Sequence, residues 1–573
     1  MTRRLHALRV GNFKAFADTQ RIPIKPITLI FGPNSAGKSS FIHSLALAHE
    51  AQFGREKRSL ARLDVHHTDV GGSAIDLGGF RQYVHRGQLN KRVEWGAELK
   101  VSALAADKDQ RLAQLLASVE TVALNIALGI ELDDQDRPRN GAAPRVDAME
   151  VTGDGAELLR MSSRRADGQG SSLRLDRIAS DHPIFRQVLK AIVESATTSE
   201  EMRPEDFEGA NEAIAALLPD LLIRVDQFFP TAVDLPKAEG AELSPVSMLF
   251  PVSKGNRKED IAQAVRFYLP RTLNDLIKGL ADTLSAELKQ LQYLGPLRSF
   301  PPRHLAFAEH EDANWYAGGG YAWDVVRRDD AVREAVNGWL GSDKLKTPYK
   351  LVVRSLVAAD QLKDPLAGGL EAIADDEDAM FLGSVDKDGF VMNHYPPRDD
   401  ARPFFQDVDA SAEVLARAVE SSDIDRIREL VLVDQRTSTV VTHRDVGIGI
   451  SQVLPVLVMA YGSRAKLLAM EQPEIHLHPA LQAELADVFI EAALGPRQNT
   501  FILETHSEHL ILRLMRRIRE GKVSSDDIGV VFVEPLARGS RFLDLRIDEE
   551  GDFIDEWPGG FFEESFHEKF AGR

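Results

Sequence analysis

The feature that most constrains this chain is Gly32-Pro-Asn-Ser-Ala-Gly37-Lys38-Ser39, set between the apolar run Ile27–Phe31 and a stretch with Phe41, Ile42 and Leu45 at helical spacing. Strand, glycine loop and helix in that order make this pattern a phosphate cradle rather than a turn. The strand is short, β-branched and uninterrupted, as a buried parallel strand should be. Gly32 and Gly37 permit the tight turn that aims backbone N–H groups at phosphate oxygens, and the helix N-terminus adds positive potential. Lys38 is expected to bridge the β- and γ-phosphates of ATP, and Ser39 to give its hydroxyl to Mg2+. The candidate nucleotide contacts are therefore Asn34, Gly37, Lys38, Ser39 and Ser40.

The complement of this loop lies more than four hundred residues later. Lys466–Met470 is a second apolar run, and it ends in Glu471, the position for a carboxylate that holds Mg2+ through water. Gln472 follows, where a glutamate would serve as general base. A glutamine cannot take a proton, but it can orient an attacking water. General-base catalysis is typically worth about 10²–10⁴-fold, so slow hydrolysis is expected unless Glu471 or Glu474 substitutes. A third run, Thr500–Leu503, leads through Glu504 and Thr505 to His506. That places His506 at the C-terminal edge of a sheet, where open α/β folds bind ligands. It could donate to the γ-phosphate there; the alternative is a satisfied core histidine. His476 and His478 beside Glu474 suggest a metal site, but further ligands at suitable spacing are missing and the chain has no cysteine. Asp445-Val-Gly447-Ile-Gly449-Ile-Ser451 is a glycine turn into a helix, taken alone a weak signal for phosphate. The competing reading is a helix cap without a ligand.

With these four elements in order, the chain resembles the ABC-type ATPase heads of the SMC and overcoming-lysogenization-defect groups. Leu8–Phe16 looks like their opening strand, and Leu77–His85 and Tyr293–Arg298 resemble segments recurring in prokaryotic ATPases of this group. The resemblance implies an α/β ABC-ATPase head with a mixed sheet, interrupted by an α+β insertion. It implies Gln82 as a further nucleotide contact. It also makes Gly447–Ser451 a signature loop that reaches the γ-phosphate held by an opposing protomer, and hence a homodimer. Val446–Pro455, Glu471–Pro479, Glu504–Leu510 and Trp557–Phe562 look like a C-terminal module attached to such heads. Related ATPases occur in antiphage systems such as Septu, where the partner is an HNH nuclease. A separate effector nuclease is thus an implied partner.

Two departures qualify the likeness. No sustained heptad separates the two halves, unlike SMC proteins. Ile528–Glu534 looks like the opening strand of a Toprim nuclease domain, but no Asp-x-Asp pair follows, so no nuclease is expected in this polypeptide.

Length and composition set the remaining bounds. The 573 residues suggest two to four domains. The expected division is an ATPase lobe at 1–100, an insertion at 101–285, a helical and linker part at 286–440, and the completed head with its C-terminal module at 441–573. Within the insertion, Val122–Ala127 reads as strand, Ile184–Val193 as helix and Thr197–Asp206 as a polar loop; Leu273–Leu291 reads as an amphipathic helix returning to the head. No run is long and apolar enough to span a membrane, and Met1-Thr-Arg-Arg leads straight into a strand, so no signal peptide is expected. The lack of cysteine fits a cytoplasmic protein. A net charge of −19 argues against the bulk surface as a DNA face. Arg513, Arg516, Arg517, Arg519 and Lys522 form a local basic run, read as a solvated helix face.

The leading expectation is an ATPase switch that governs a partner nuclease in antiphage defence. The alternatives are an SMC-like clamp on nucleic acid in repair or recombination, and a non-hydrolysing ATP sensor or scaffold suggested by Gln472.

Overall fold

The structure is a computed structural model that describes residues 4–54, 64–105, 110–139, 142–163, 172–196, 204–234, 257–298, 313–341, 344–357, 384–385, 391–392, 416, 426–441, 448–558 and 560. Gly447 lies outside them. The chain divides into two compact units.

The first unit comprises Met1–Phe300, His310–Ala322 and Gly447–Arg573. Its site-bearing sheet has six strands in the order Leu291–Leu294, Leu467–Glu471, Thr500–Glu504, Ile27–Phe31, Ile528–Leu536 and Gly539–Asp544. The first five run parallel and the last is antiparallel, so the sheet is mixed and the fold is α/β. Ile27–Phe31, Leu467–Glu471 and Thr500–Glu504 are buried along their whole lengths, as strands covered on both faces must be. Ile528–Leu536 pairs directly with the P-loop strand. The segment that looks like a Toprim opening strand is therefore an inner strand of this sheet, and the next strand turns back beside it.

A second sheet in the same unit has nine antiparallel strands, running from Pro230–Asp234 through Leu222–Val225, Ser172–Ile178, Ala156–Ser162, Arg145–Gly153, Thr121–Gly129, Val93–Lys100 and Leu5–Gly11 to Gln20–Pro23. The border expected at residue 100 therefore marks no separate body. Val93–Lys100 pairs with Leu5–Gly11 on one side and Thr121–Gly129 on the other, so hydrogen bonding carries the N-terminal sheet into the anticipated insertion. One apolar cluster, from Leu5 to Val533, takes in residues of both sheets and of helices Lys38–Phe53 and Arg257–Leu288.

The helix expected over Leu273–Leu291 begins earlier, at Arg257, and ends at Leu288. Ile261, Val265, Leu269, Leu273, Ile277, Leu280 and Leu284 form its buried stripe. It packs on the P-loop helix Lys38–Phe53, on Pro230–Asp234 and on the helices Pro183–Ala196 and Pro204–Leu217. The last of these takes in part of the polar stretch expected as a loop over Thr197–Asp206, because Pro204 suits a first helical turn.

The second unit comprises Pro301–Glu309 and Trp323–Val446. Tyr349–Val357, Arg426–Asp434 and Thr439–Val441 form an antiparallel sheet, so this part is not merely helix and linker. Helix Asp330–Leu340 is capped by Asp329, which accepts from the Val332 N–H. Asn337 on that helix bonds both the N–H and the carbonyl of Leu351.

Candidate functional site

The six-stranded sheet brings the distant motifs to one edge. Glu471 and Glu504 are register partners on adjacent parallel strands, and Glu504 in turn pairs with Ile30 just before the glycine loop. Both glycines of that loop are required by geometry. Gly32 has φ +145° and a Cβ there would lie 2.6 Å from the Val533 carbonyl oxygen. Gly37 has φ +103° and its Cβ would lie 2.4 Å from that of Ala15.

Lys38 is buried, and its ammonium donates to the carbonyls of Gly32 and Pro33, each at 3.0 Å. Burial lowers its pKa, against the pull of Glu504, Glu474 and Glu471. Asn34 is exposed at the loop tip, while Ser40 is buried and its N–H bonds the Gly37 carbonyl. The Ser39 hydroxyl donates to Glu504 at 2.7 Å, not to Glu471.

Glu471 is buried and receives the Tyr293 hydroxyl at 3.0 Å. His43 of the P-loop helix lies beside it at 3.6 Å. Lys14 sits 2.6 Å from His43 Nδ1. An ammonium has only donors, so Nδ1 must accept, leaving the Nε2 proton to face Glu471.

Glu504 carries the most informative electrostatics. Burial and the neighbouring Glu471 push its pKa up to about 7, despite the Ser39 bond and Lys38. Two carboxylates and a serine hydroxyl form a hard oxygen donor set, the chemistry that suits Mg2+. Ser39, Glu471 and Glu504 are the residues that could hold it.

Gln472 begins the loop after the acidic strand in a left-handed conformation, φ 46°. Its N–H donates to the Glu504 carbonyl at 2.8 Å and its own carbonyl accepts from Arg298 at 3.0 Å. Glu474 is buried and accepts the His506 N–H at 2.8 Å; burial raises its pKa. The His506 side chain is exposed, and its pKa is lowered by burial of part of the ring and by the Lys38 charge.

Other expected residues stand further back. The Gln82 amide oxygen accepts the Gly79 N–H at 2.9 Å, closing its own short helix. That helix still bears on the site, because Tyr83 accepts the Lys14 N–H and His85 bonds the Lys14 carbonyl. Gly449 lies in the first turn of helix Ile448–Gly462, where a Cβ would stand 3.3 Å from the His476 carbonyl oxygen. Ser451 is only 2 % exposed. His478 caps helix Pro479–Leu494 through its side chain. The basic run on helix Glu508–Arg519 is largely paired: Arg513 and Arg517 clasp Asp487, Arg516 meets Glu520 and Arg519 meets Asp552.

Sequence reasoning missed Glu504, Lys14 and His43 as site residues, and gave Tyr293 and Arg298 no role. The signal for Glu504 was its place at the end of an apolar run, the same place that identified Glu471.

Fold and site together define a P-loop α/β protein with a split nucleotide-type site. Two stretches of the chain match AAA-domain family models: residues 7–117 match "AAA domain", and residues 275–513 match "AAA domain, putative AbiEii toxin, Type IV TA system". No curated protein matches the chain. Among solved structures, an SMC head bound to the C-winged helix domain of ScpA is 10% identical, with 96% of this chain and 99% of that chain covered at a TM-score of 0.34. An Smc head with an extended coiled coil bound to the C-terminal domain of ScpA, from Pyrococcus furiosus, is 10% identical over 95% of this chain and 96% of that chain, at 0.33. The SMC head domain of Thermotoga maritima is 9% identical over 95% of this chain and 100% of that chain, at 0.31. No helix among the described residues is long and apolar enough to cross a membrane.

Proposed function

We propose that this chain is a Mg2+-dependent ATPase that turns over slowly and acts as a nucleotide-driven switch. One observation carries the reading: Lys38 and Ser39 meet Glu471 and Glu504 at a single sheet edge, although the two pairs come from opposite ends of the chain. In that arrangement Lys38 would trade its two loop carbonyls for phosphate oxygens. Ser39 would offer its oxygen to the metal while its hydrogen stays on Glu504, and Glu471 and Glu504 would balance the cation. When bound, Mg2+ supplies charge neutralisation at the phosphates. Gln472 orients water without accepting its proton, which keeps hydrolysis slow.

The finer reading is a homodimer in which the start of helix Ile448–Gly462 reaches the partner's nucleotide, and in which closure and opening govern a separate effector nuclease in antiphage defence. Its support is the sequence resemblance, together with the exposed loop tip at Asn34 and the exposed His506. Gln472 equally favours an ATP sensor that never turns over, and the same experiment separates the two. ATP binding and phosphate release are measured with Mg2+ for the wild type and Lys38→Ala. Binding lost in the variant, with slow release by the wild type, supports the ATPase switch; binding with no release at all favours the sensor. Equal ATP binding by the wild type and a folded Lys38→Ala variant would end both. Sedimentation with and without ATP tests the dimer.

A further inference from the structure

Arg298 is the most conspicuous charged group near the site that the nucleotide chemistry does not use. It is 6 % exposed, and burial pulls its pKa down to about 10 against the attraction of Glu474. It makes no ion-pair contact among the described residues; its guanidinium instead donates to two backbone carbonyls on two different elements. One bond, 2.7 Å, goes to Gln452 in helix Ile448–Gly462, and the other, 3.0 Å, goes to Gln472.

Gln452 lies one residue after Ser451, the residue whose carbonyl Pro455 cannot serve with an N–H. Gln472 is held in the left-handed region, which a side-chain-bearing residue occupies only when its surroundings insist. A buried guanidinium is expensive to desolvate. Packing alone would be served as well by an apolar side chain, but no apolar side chain can bond two carbonyls at once. Arginine's planar fork can.

We propose that Arg298 is the positioning residue of this site, a clamp that fixes the backbone of Gln472 and ties it to the first turns of helix Ile448–Gly462. This rests on the nucleotide reading above and deepens it. The position of the water-orienting side chain and the position of helix Ile448–Gly462 are then one variable. A change at either carbonyl is felt at the other through a single side chain. Glu474 supports the same assembly from its other side by holding the His506 N–H.

The test uses the full chain with Arg298→Lys and Arg298→Met. Lysine keeps the charge but gathers its donors at one point, so it reaches one carbonyl and not both. ATP affinity, phosphate release, melting temperature and hydrogen exchange of the segments 448–455 and 471–477 are measured with and without ATP and Mg2+. With Arg298→Lys, ATP affinity should stay within about threefold while the turnover number falls about tenfold or more, the scale expected of a small misplacement. Exchange protection gained on ATP binding should persist at the P-loop and vanish at 448–455. Arg298→Met should show the same split more severely. Unchanged turnover and intact protection in Arg298→Lys would overturn the clamp. So would parallel loss of melting temperature, ATP affinity and P-loop protection, which marks an ordinary structural role. If the wild type binds ATP without turnover, the exchange pattern alone decides. If the wild type and Lys38→Ala bind ATP equally, the nucleotide reading itself fails, a result distinct from any Arg298 outcome.

Discussion

Ser39 and Glu504 are 465 positions apart in the chain and share a hydrogen bond of 2.7 Å. That bond ties the phosphate loop to the neighbouring strand through the hydroxyl hydrogen and leaves the oxygen lone pairs for a metal. Lys38 is held by two loop carbonyls, which phosphate oxygens would replace.

Glu504 makes the nucleotide-free protein sensitive to pH. Its carboxyl is pushed up to about 7 in the fold, from an ordinary value of 4.5. A raised acid stabilises the fold below the unfolded value and loses that contribution as pH climbs through the folded one. Between about pH 4.5 and pH 7 this residue should lower the melting temperature progressively. Glu504→Gln copies the protonated form, so the variant should match the wild type near pH 5 and exceed it near pH 8. A melting-temperature difference that does not change between these two pH values contradicts the assignment.

Gln472→Glu restores a proton acceptor at the start of the loop after the acidic strand. Phosphate release should rise about tenfold or more, toward the range of general-base catalysis. ATP affinity should change little. The proximity of Glu471 and Glu504 opposes ionisation of a third carboxylate, so the gain should grow from pH 7 to pH 9. A steady-state phosphate assay across that range checks both statements.

Gly37→Ala places a Cβ 2.4 Å from that of Ala15, at a φ of +103° that disfavours any side chain. Strain of about 1–3 kcal/mol is expected, and the cradle must open to relieve it. The variant should keep its fold by circular dichroism and lose ATP binding by at least tenfold in equilibrium titration. Near-normal affinity would show that the loop does not hold phosphate in this conformation.

Asp487 anchors the arginines that make helix Glu508–Arg519 look basic. Arg513 and Arg517 both bond it, and burial is outweighed by those bonds in holding its pKa low. Asp487→Asn should cost about 2 kcal/mol, less than a deeply buried pair, because the arginines reach the surface. A depressed acid gives its stability above the unfolded pKa and loses it as pH falls through the folded value. The wild-type advantage should therefore be present at pH 7 and shrink toward pH 3. Chemical denaturation at the two pH values measures it.

The P-loop was legible because its chemistry is local. Consecutive residues from Gly32 to Ser39 make the turn, and the strand and helix on each side follow from apolar spacing. The positions of Glu471, Gln472 and His506 near strand ends were legible for the same reason, each standing at or just past a buried run. Gln82 and Ser451 came from resemblance, and here the structure adds what resemblance lacks: one closes its own helix and the other is buried. The anticipated border at residue 100 had no local signal to contradict it. Whether a strand starts a new body or joins an old sheet is settled by its hydrogen-bond partner, and the partner of Val93–Lys100 is Leu5–Gly11.

By itself, then, the sequence determined that a glycine cradle and an acidic strand end exist, and that both belong to buried parallel strands. Tertiary structure alone decided which carboxylate meets Ser39, because pairing register sets Glu504 beside Glu471 and next to the strand that feeds the loop. It also decided that Arg298 would spend its charge on two carbonyls far away in sequence. Periodicity reports which face of a segment is covered. It carries no information about the neighbour that covers it, and the chemistry of this site depends on that neighbour.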